Sequence, residues 1–267
     1  MPEGHTIHRL ALDLERDLVG HPVEASSPQG RFPDADRLDG RTLRSTEAIG
    51  KHLLLHFGAG RVVHVHLGLF GRFRRHRRPA PPPRDTTRLR LAGPDRTWDL
   101  VGPTACEMLT SADLRSLRAR IGVDPIARRT SRADLDRTFA TLARTRREVG
   151  AVLLDQAIFS GIGNVYRAEI LFLLGIDPAT PARDLSRRDF DAIWRKAREL
   201  LRLGVVERRI VTVRDAGRRP PRREALHVYK REVCRACTGP ISRTTSAGRS
   251  LWWCPTCQPP RREPTRS

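Results

Sequence analysis

Lysine is almost missing from this chain. Of its 50 basic residues only Lys51, Lys196 and Lys230 are lysines, and all the others are arginine. Arginine serves phosphate contact and solubility but keeps its proton in proteins, whereas lysine can be tuned to release one. A lysine retained against such a bias is a candidate for proton transfer. Lys51 stands out, in Ile49-Gly50-Lys51-His52 just before the apolar run Leu53-Leu54-Leu55. Lys196 falls on a predicted helix face and Lys230 beside a cysteine cluster, and both read as solvated or phosphate-facing. Apolar runs of membrane length are also absent, so no membrane partner is expected. The first residues lack the basic-then-apolar pattern of a signal segment, which predicts a cytoplasmic protein. Five cysteines in such a compartment point to a metal or to packing rather than to disulfides.

What is there begins with charge. The formal net charge is +20. Residues 1–110 carry 17 basic against 13 acidic side chains, residues 111–175 carry 11 against 7, and residues 176–267 carry 22 against 10. An excess weighted to one end suits a polyanion, most simply nucleic acid. Free use of arginine by a GC-rich genome is the bland alternative. At 267 residues the chain has room for two domains with separate cores.

Ile7, Leu10, Ala11, Leu14 and Leu18 recur at helical spacing, predicting a helix from Glu3 to Leu18 that ends at Gly20. From Pro22 to Met108 short β runs alternate with turn residues: Thr42–Ile49, Leu53–Phe57, Val62–Leu67, Thr87–Leu91 and Trp98–Val101. This reads as an antiparallel sandwich or barrel-like domain. The stretch from Arg77 to Arg84, rich in proline, reads as a surface loop. After Ser111 the pattern turns helical. Ser131 with Asp134 and Ser186 with Asp189 resemble capping boxes for helices over 132–143 and 187–203. Two more helices, over 148–158 and 164–174, flank Ser160-Gly161-Ile162-Gly163-Asn164. No internal repeat is visible.

Two places carry chemistry. The chain opens Met1-Pro2-Glu3-Gly4. With Met1 removed, Pro2 presents a secondary amine, and an α-amino group titrates near pH ~8. Condensed with an aldehyde carbon it gives an iminium, an electron sink for breaking neighbouring bonds. The helix that follows disfavours positive charge at its start by ~0.3–1 kcal/mol, and Glu3 opposes that effect. On these residues alone a chance proline is the simpler reading. The second place is Cys234-Arg235-Ala236-Cys237 and Cys254-Pro255-Thr256-Cys257, separated by sixteen residues. Two such pairs facing across a hairpin make a four-thiolate site for one structural zinc ion, with no open position for catalysis. Cys106 reads as buried packing. Gly248-Arg249-Ser250-Leu251-Trp252-Trp253 between the pairs gives a basic hairpin tip with aromatic flanks, and at least one tryptophan is expected to fill the finger's core. The glycines around Ile162 form a tight turn whose backbone N–H groups could face a phosphate.

These segments, taken in order, resemble the bacterial Fpg/Nei family of DNA glycosylases, and within it the endonuclease VIII (Nei) branch. The matching runs are Pro2 to His8, Gly50-Lys51-His52-Leu53-Leu54, His66-Leu67-Gly68-Leu69-Phe70-Gly71, Leu153-Leu154-Asp155-Gln156, Gly161 to Glu169, and the cysteine pairs with Arg249 and Gln258. They cover nearly the whole chain. The resemblance implies an α+β architecture: an N-terminal β-sandwich with a leading helix over 1–110, a helical helix–two-turn–helix domain over 111–225, a zinc finger over 226–260 and a basic tail over 261–267. It implies damaged double-stranded DNA as partner, lying between the domains, and a monomer associated with the nucleoid. Pro2 would attack C1′ and Glu3 would act as acid/base. Lys51 would donate or relay a proton at Pro2, and Arg249 would steady the leaving phosphate. A guanidinium, with a pKa above 12, suits charge stabilisation better than proton donation. Arg120 and Asn164 would grip phosphates around the lesion.

A base must be flipped out of the stack before excision. Leu69 and Phe70, on a turn after a strand, are candidates for the wedge that fills the gap, with core packing as the alternative, stronger for Phe70. His52, His56, His64 and His66 alternate along strands, and most of them read as packing or surface. Gly68 stands where some relatives carry a larger side chain. The opening after Pro2-Glu3 and the wedge both differ from formamidopyrimidine-type relatives, which favours oxidised pyrimidines over oxidised purines such as 8-oxoguanine. The damage-reading loop is placed at Arg214–Arg223. A non-catalytic zinc-finger DNA-binding protein would explain the charge and the cysteines but leaves Pro2, Glu3 and Lys51 as accidents.

Overall fold

The chain divides into two compact units, Met1–Arg120 and Ile121–Ser267. A computed structural model describes residues 2–213, 220–221 and 224–260. Of the expected damage-reading loop only Pro220 and Pro221 are among them.

The first unit opens with helix α1 (Gly4–Leu18), whose apolar stripe Ile7, Ala11, Leu14 and Leu18 is buried. Eight antiparallel strands follow: β1 (Pro22–Ser26), β2 (Arg41–Ile49), β3 (His52–Phe57), β4 (Val62–His66), β5 (Arg72–Arg77), β6 (Thr87–Ala92), β7 (Arg96–Val101) and β8 (Ala105–Leu109). Their order is β5-β7-β6-β1-β2-β3-β4-β8. Strand β1 is the corner. Its first residues, Pro22 and Val23, pair with β2, and its last three pair with β6. One core serves both halves, with Leu43, Leu53, Leu55, Val63 and Val65 from one and Leu89, Leu91, Trp98 and Leu100 from the other, closed by α1. That is the expected sandwich. The alternate residues of β3 and β4, including His52, His64 and His66, lie on the opposite face of the sheet.

Three strands lie beyond the runs picked from the sequence. Strand β5 reads Arg-Phe-Arg-Arg-His-Arg, so charge hides its alternation; it is an edge strand, where charge guards against further pairing. Helix α2 (Ser111–Arg120) belongs to the first unit, and its Arg118 pairs with Glu47 of β2 at 2.7 Å.

The second unit contains α3 (Arg132–Leu142), α4 (Val149–Val152), α5 (Asn164–Leu173) and α6 (Arg187–Glu207), then the hairpin β9 (Ser242–Ser246) and β10 (Arg249–Trp253). Both capping boxes form, Ser131 with Asp134 and Ser186 with Asp189. The helix expected over 148–158 is a single turn. The side chain of Asp155 accepts from Ala157 N–H, and Gln156 reaches the carbonyls of Leu154 and Ile162 while accepting from Gly161 N–H. These side chains satisfy backbone groups that a longer helix would have used. Helix α5 is buried over nearly its whole length between α6 and the hairpin region, which explains its apolar composition. No helix among the described residues is long and apolar enough to cross a membrane.

Candidate DNA-lesion site

In the first unit Pro2 precedes α1 and Glu3 is its N-cap, extended at φ −124°, with its carbonyl accepting from Thr6 N–H at 2.8 Å. The Glu3 side chain is fully buried and is not spent on capping. His5 on the first turn is also buried, and burial first, with neighbouring positive charge including His8, lowers its pKa to about 4. A neutral imidazole and a buried carboxyl therefore flank the start of the helix.

Lys51 sits in a two-residue turn, because Ile49 pairs with His52 across β2 and β3. Gly50 has φ +57°, the conformation this turn demands at its first central position and that glycine adopts without strain. At His52, the residue after Lys51, three imidazoles pack together. The His52 ring centroid lies 5.1 Å from that of His64 and 5.0 Å from that of His66. Of the four histidines, most of them expected as packing or surface, His52, His64 and His66 thus form a connected cluster, and His56 pairs instead with Glu47 at 3.1 Å.

After β4 the chain turns through Leu67–Phe70, closed by Gly71 N–H donating to the Leu67 carbonyl at 2.9 Å. Leu69 is 50% exposed and Phe70 82% exposed, so neither is core. Gly68 holds φ +64°, and a Cβ there would stand 1.8 Å from Thr104 Oγ1. A side chain at Gly68 would therefore displace Thr104 and hold a strained φ in the turn that presents the two apolar side chains. Arg120, the last residue of α2, is exposed, its Nε bonded to the Ser116 carbonyl at 3.3 Å. Cys106 is buried in the sheet core, and burial raises its thiol pKa to about 12, which makes it inert packing.

In the second unit the four cysteine sulfurs lie within 4.8 Å of one another, an arrangement that could hold a metal ion. The backbone at Gly239 lowers the Cys237 pKa to about 7, favouring a thiolate there. Arg249 starts β10 and is exposed, directly after the two-residue turn Ala247-Gly248, where both φ angles are positive. Asn164, the first residue of α5, is buried; its Nδ2 donates to the Ser250 carbonyl at 2.9 Å. The expected tryptophan core is replaced by Leu251, which is buried, whereas Trp252 and Trp253 are half-buried. Trp252 instead meets Tyr229 edge-on at 4.7 Å and carries the Arg243 guanidinium over its ring.

Two buried charges of α5 escaped the sequence reading. Arg167 donates to the carbonyls of Gly150 and Ser246, at 3.1 and 3.2 Å, and to Asn164 and Ser250. It thereby grips both strands of the hairpin around Arg249. The Glu169 carboxylate accepts from the backbone N–H groups of His227, Val228 and Tyr229 and from the Thr212 hydroxyl. The available signal was a pair of charges in an otherwise apolar helix. Gln258 similarly accepts from Cys254 N–H and donates to the Ile176 carbonyl.

Each unit matches a model of one class of protein, the DNA glycosylases. Residues 1–109 match the formamidopyrimidine-DNA glycosylase N-terminal domain and residues 121–215 the formamidopyrimidine-DNA glycosylase H2TH domain. Endonuclease 8 1 of Mycobacterium tuberculosis (strain ATCC 25618 / H37Rv) is 43% identical, across 97% of this chain and 100% of its own. Endonuclease 8 of Salmonella newport (strain SL254) is 31% identical over the same shares. The Lactococcus lactis Fpg, solved in complex with DNA containing N7-benzyl-Fapy-dG, superposes with a TM-score of 0.79 at 22% identity, covering 97% of this chain and all of that one. The chain belongs to the Fpg/Nei family of DNA-repair glycosylases, close to the endonuclease VIII (Nei) branch.

Proposed function

We propose that this protein is a bifunctional DNA glycosylase and AP lyase of base excision repair, removing oxidised pyrimidines and cutting the strand by β,δ-elimination. The observation that carries the reading is a prospective secondary amine at Pro2 followed by the buried carboxylate of Glu3 at the head of α1. With Met1 removed, the Pro2 nitrogen attacks C1′ of the flipped nucleotide, and the C1′–N bond to the base breaks. Glu3 moves the protons that release the base and open the sugar ring. The resulting iminium draws electrons from the C1′–C2′ region, so a C2′ proton is lost and the 3′ phosphate departs. A second elimination releases the 5′ phosphate, and hydrolysis frees Pro2.

Lys51 supplies or relays the proton at Pro2, and Arg249 stabilises the charge on the leaving phosphate. Leu69 and Phe70, with Gly68 shaping their turn, fill the space left by the flipped nucleotide. Arg120 contacts phosphate from the first unit. Asn164 orients the hairpin and stands at the N-terminal end of α5, the end of a helix that attracts phosphate. Cys234, Cys237, Cys254 and Cys257 hold one zinc ion, which folds the hairpin that carries Arg249. Damaged double-stranded DNA engages both units of a monomer working at the nucleoid.

Borohydride reduction with abasic-site DNA tests the mechanism. The mature protein should be trapped as a covalent adduct, and a version with residues added before Pro2 should not. Intact-mass measurement showing Met1 retained would overturn Pro2 as nucleophile. Excision of thymine glycol in preference to 8-oxoguanine supports the pyrimidine assignment, and the reverse preference replaces it with oxidised purines.

A further inference from the structure

A hydrogen-bonded line runs through the first unit to the neighbourhood of Lys51. Glu107 on β8 lies opposite His64 on β4, and His66 lies opposite His52 on β3. The neighbours Leu53, Leu55, Val63, Val65 and Cys106 point into the core, so Glu107, His64, His66 and His52 share the other face of the sheet. On that face His64 Nδ1 lies 2.9 Å from Glu107 Oε1, and His64 Nε2 lies 2.9 Å from His52 Nδ1. A carboxylate can only accept, so His64 donates to it through Nδ1, and in the neutral tautomer that the relay uses its Nε2 is the acceptor. His52 must then donate through Nδ1, which leaves its Nε2 as a lone pair. The line thus starts at a carboxylate whose side chain is 56% exposed, crosses the buried His64 and ends on the residue next to Lys51.

We propose that Glu107, His64 and His52 form a proton relay serving Lys51, with Glu107 and His64 as positioning residues. The proposal rests on the role given to Lys51 above. A proton accepted at His52 Nε2 lets His52 pass its Nδ1 proton to His64 Nε2. His64 then passes its own Nδ1 proton to Glu107, which sheds it to solvent, and the reverse sequence recharges the line. One proton enters and one leaves, and no charge stays in the sheet. The charged and titratable groups around His52 are His64, His66, Lys51 and Arg120 of α2, and together with burial they keep His52 neutral, with a pKa lowered to about 3. His66, lowered by burial, His64 and Lys51, is neutral as well.

The test is single-turnover cleavage of abasic-site DNA by His64→Ala and Glu107→Ala, measured across pH with DNA affinity and melting temperature alongside. Both variants should cleave about tenfold or more slowly at unchanged affinity. Added imidazole should restore much of the rate to His64→Ala and do nothing for the parent protein. Should His64→Ala not fold, the exposed Glu107→Ala decides through a displaced pH profile. Wild-type rates in both variants, or slow cleavage that imidazole does not restore, overturn the relay. Lys51→Ala separates the two readings. A fully active Lys51→Ala overturns the role of Lys51, whereas a slow Lys51→Ala beside unimpaired His64→Ala and Glu107→Ala overturns the relay alone.

Discussion

Gly68 shows how one residue can fix the geometry of an apolar turn. Its φ of +64° is open to glycine, and the space a side chain would enter is filled by Thr104 Oγ1. Gly68→Ala should therefore cost about 1–3 kcal/mol, from backbone strain and the clash together. Thr104→Ala in the same chain should recover the part due to the hydroxyl and leave the part due to φ. Urea denaturation of the four variants gives the cycle, and a neutral Gly68→Ala would show that the turn relaxes freely. At this scale the sequence was most legible where chemistry demands a residue type. The four cysteines stand out by kind and spacing, and their sulfurs do come together. The partners of buried groups were not legible. His64 and Glu107 are 43 residues apart and meet only through the register of β4 with β8. Arg167 meets Ser246 and Ser250, about eighty residues away, only once the hairpin that it grips is in place.

Elements were readable where periodicity marked them, as in α1, or where a capping box did, as in the helices opened by Ser131 and Ser186. They were misread where side chains competed with the backbone, at Asp155 and Gln156, or where edge charge hid alternation, in β5. The β9–β10 hairpin gives a prediction at this scale. Its core is small, formed by Ala168, Phe172, Val228, Leu251, Cys234 and Cys254, and two of these are themselves ligand candidates. So little apolar surface cannot hold two strands without a cross-link. Chelation should expose the β9–β10 amides to hydrogen exchange and abolish DNA binding while the amides of α5 and α6 that pack in the larger core stay protected. Elemental analysis should return one zinc per chain. Hairpin amides that stay protected after chelation would assign the hairpin's stability to Arg167 and Asn164 instead.

For the whole molecule, charge and pH act on different terms. A net charge of +20 should make DNA affinity fall steeply with salt, as released counterions require. Stability against acid depends instead on imidazoles buried neutral. His5 and His52, both in the first unit, have pKa values lowered by burial to about 4 and about 3. In the unfolded chain each titrates near pH ~6.5. Between that value and the folded one the unfolded state binds more protons, so stability rises with pH and is lost on acidification through this window. For the well-buried His5 the loss should reach about 1 kcal/mol by pH ~5.5. Carboxylates held low by hydrogen-bonded partners, such as Glu47 beside His56 and Arg118, enter only at lower pH, as protonation begins to break their pairs. Melting followed from pH 7 to 5 should therefore show the first unit weakening first, and His5→Gln should flatten that dependence while lowering stability at neutral pH. A pH-independent melting temperature over this range would mean that His5 is not held neutral by its burial.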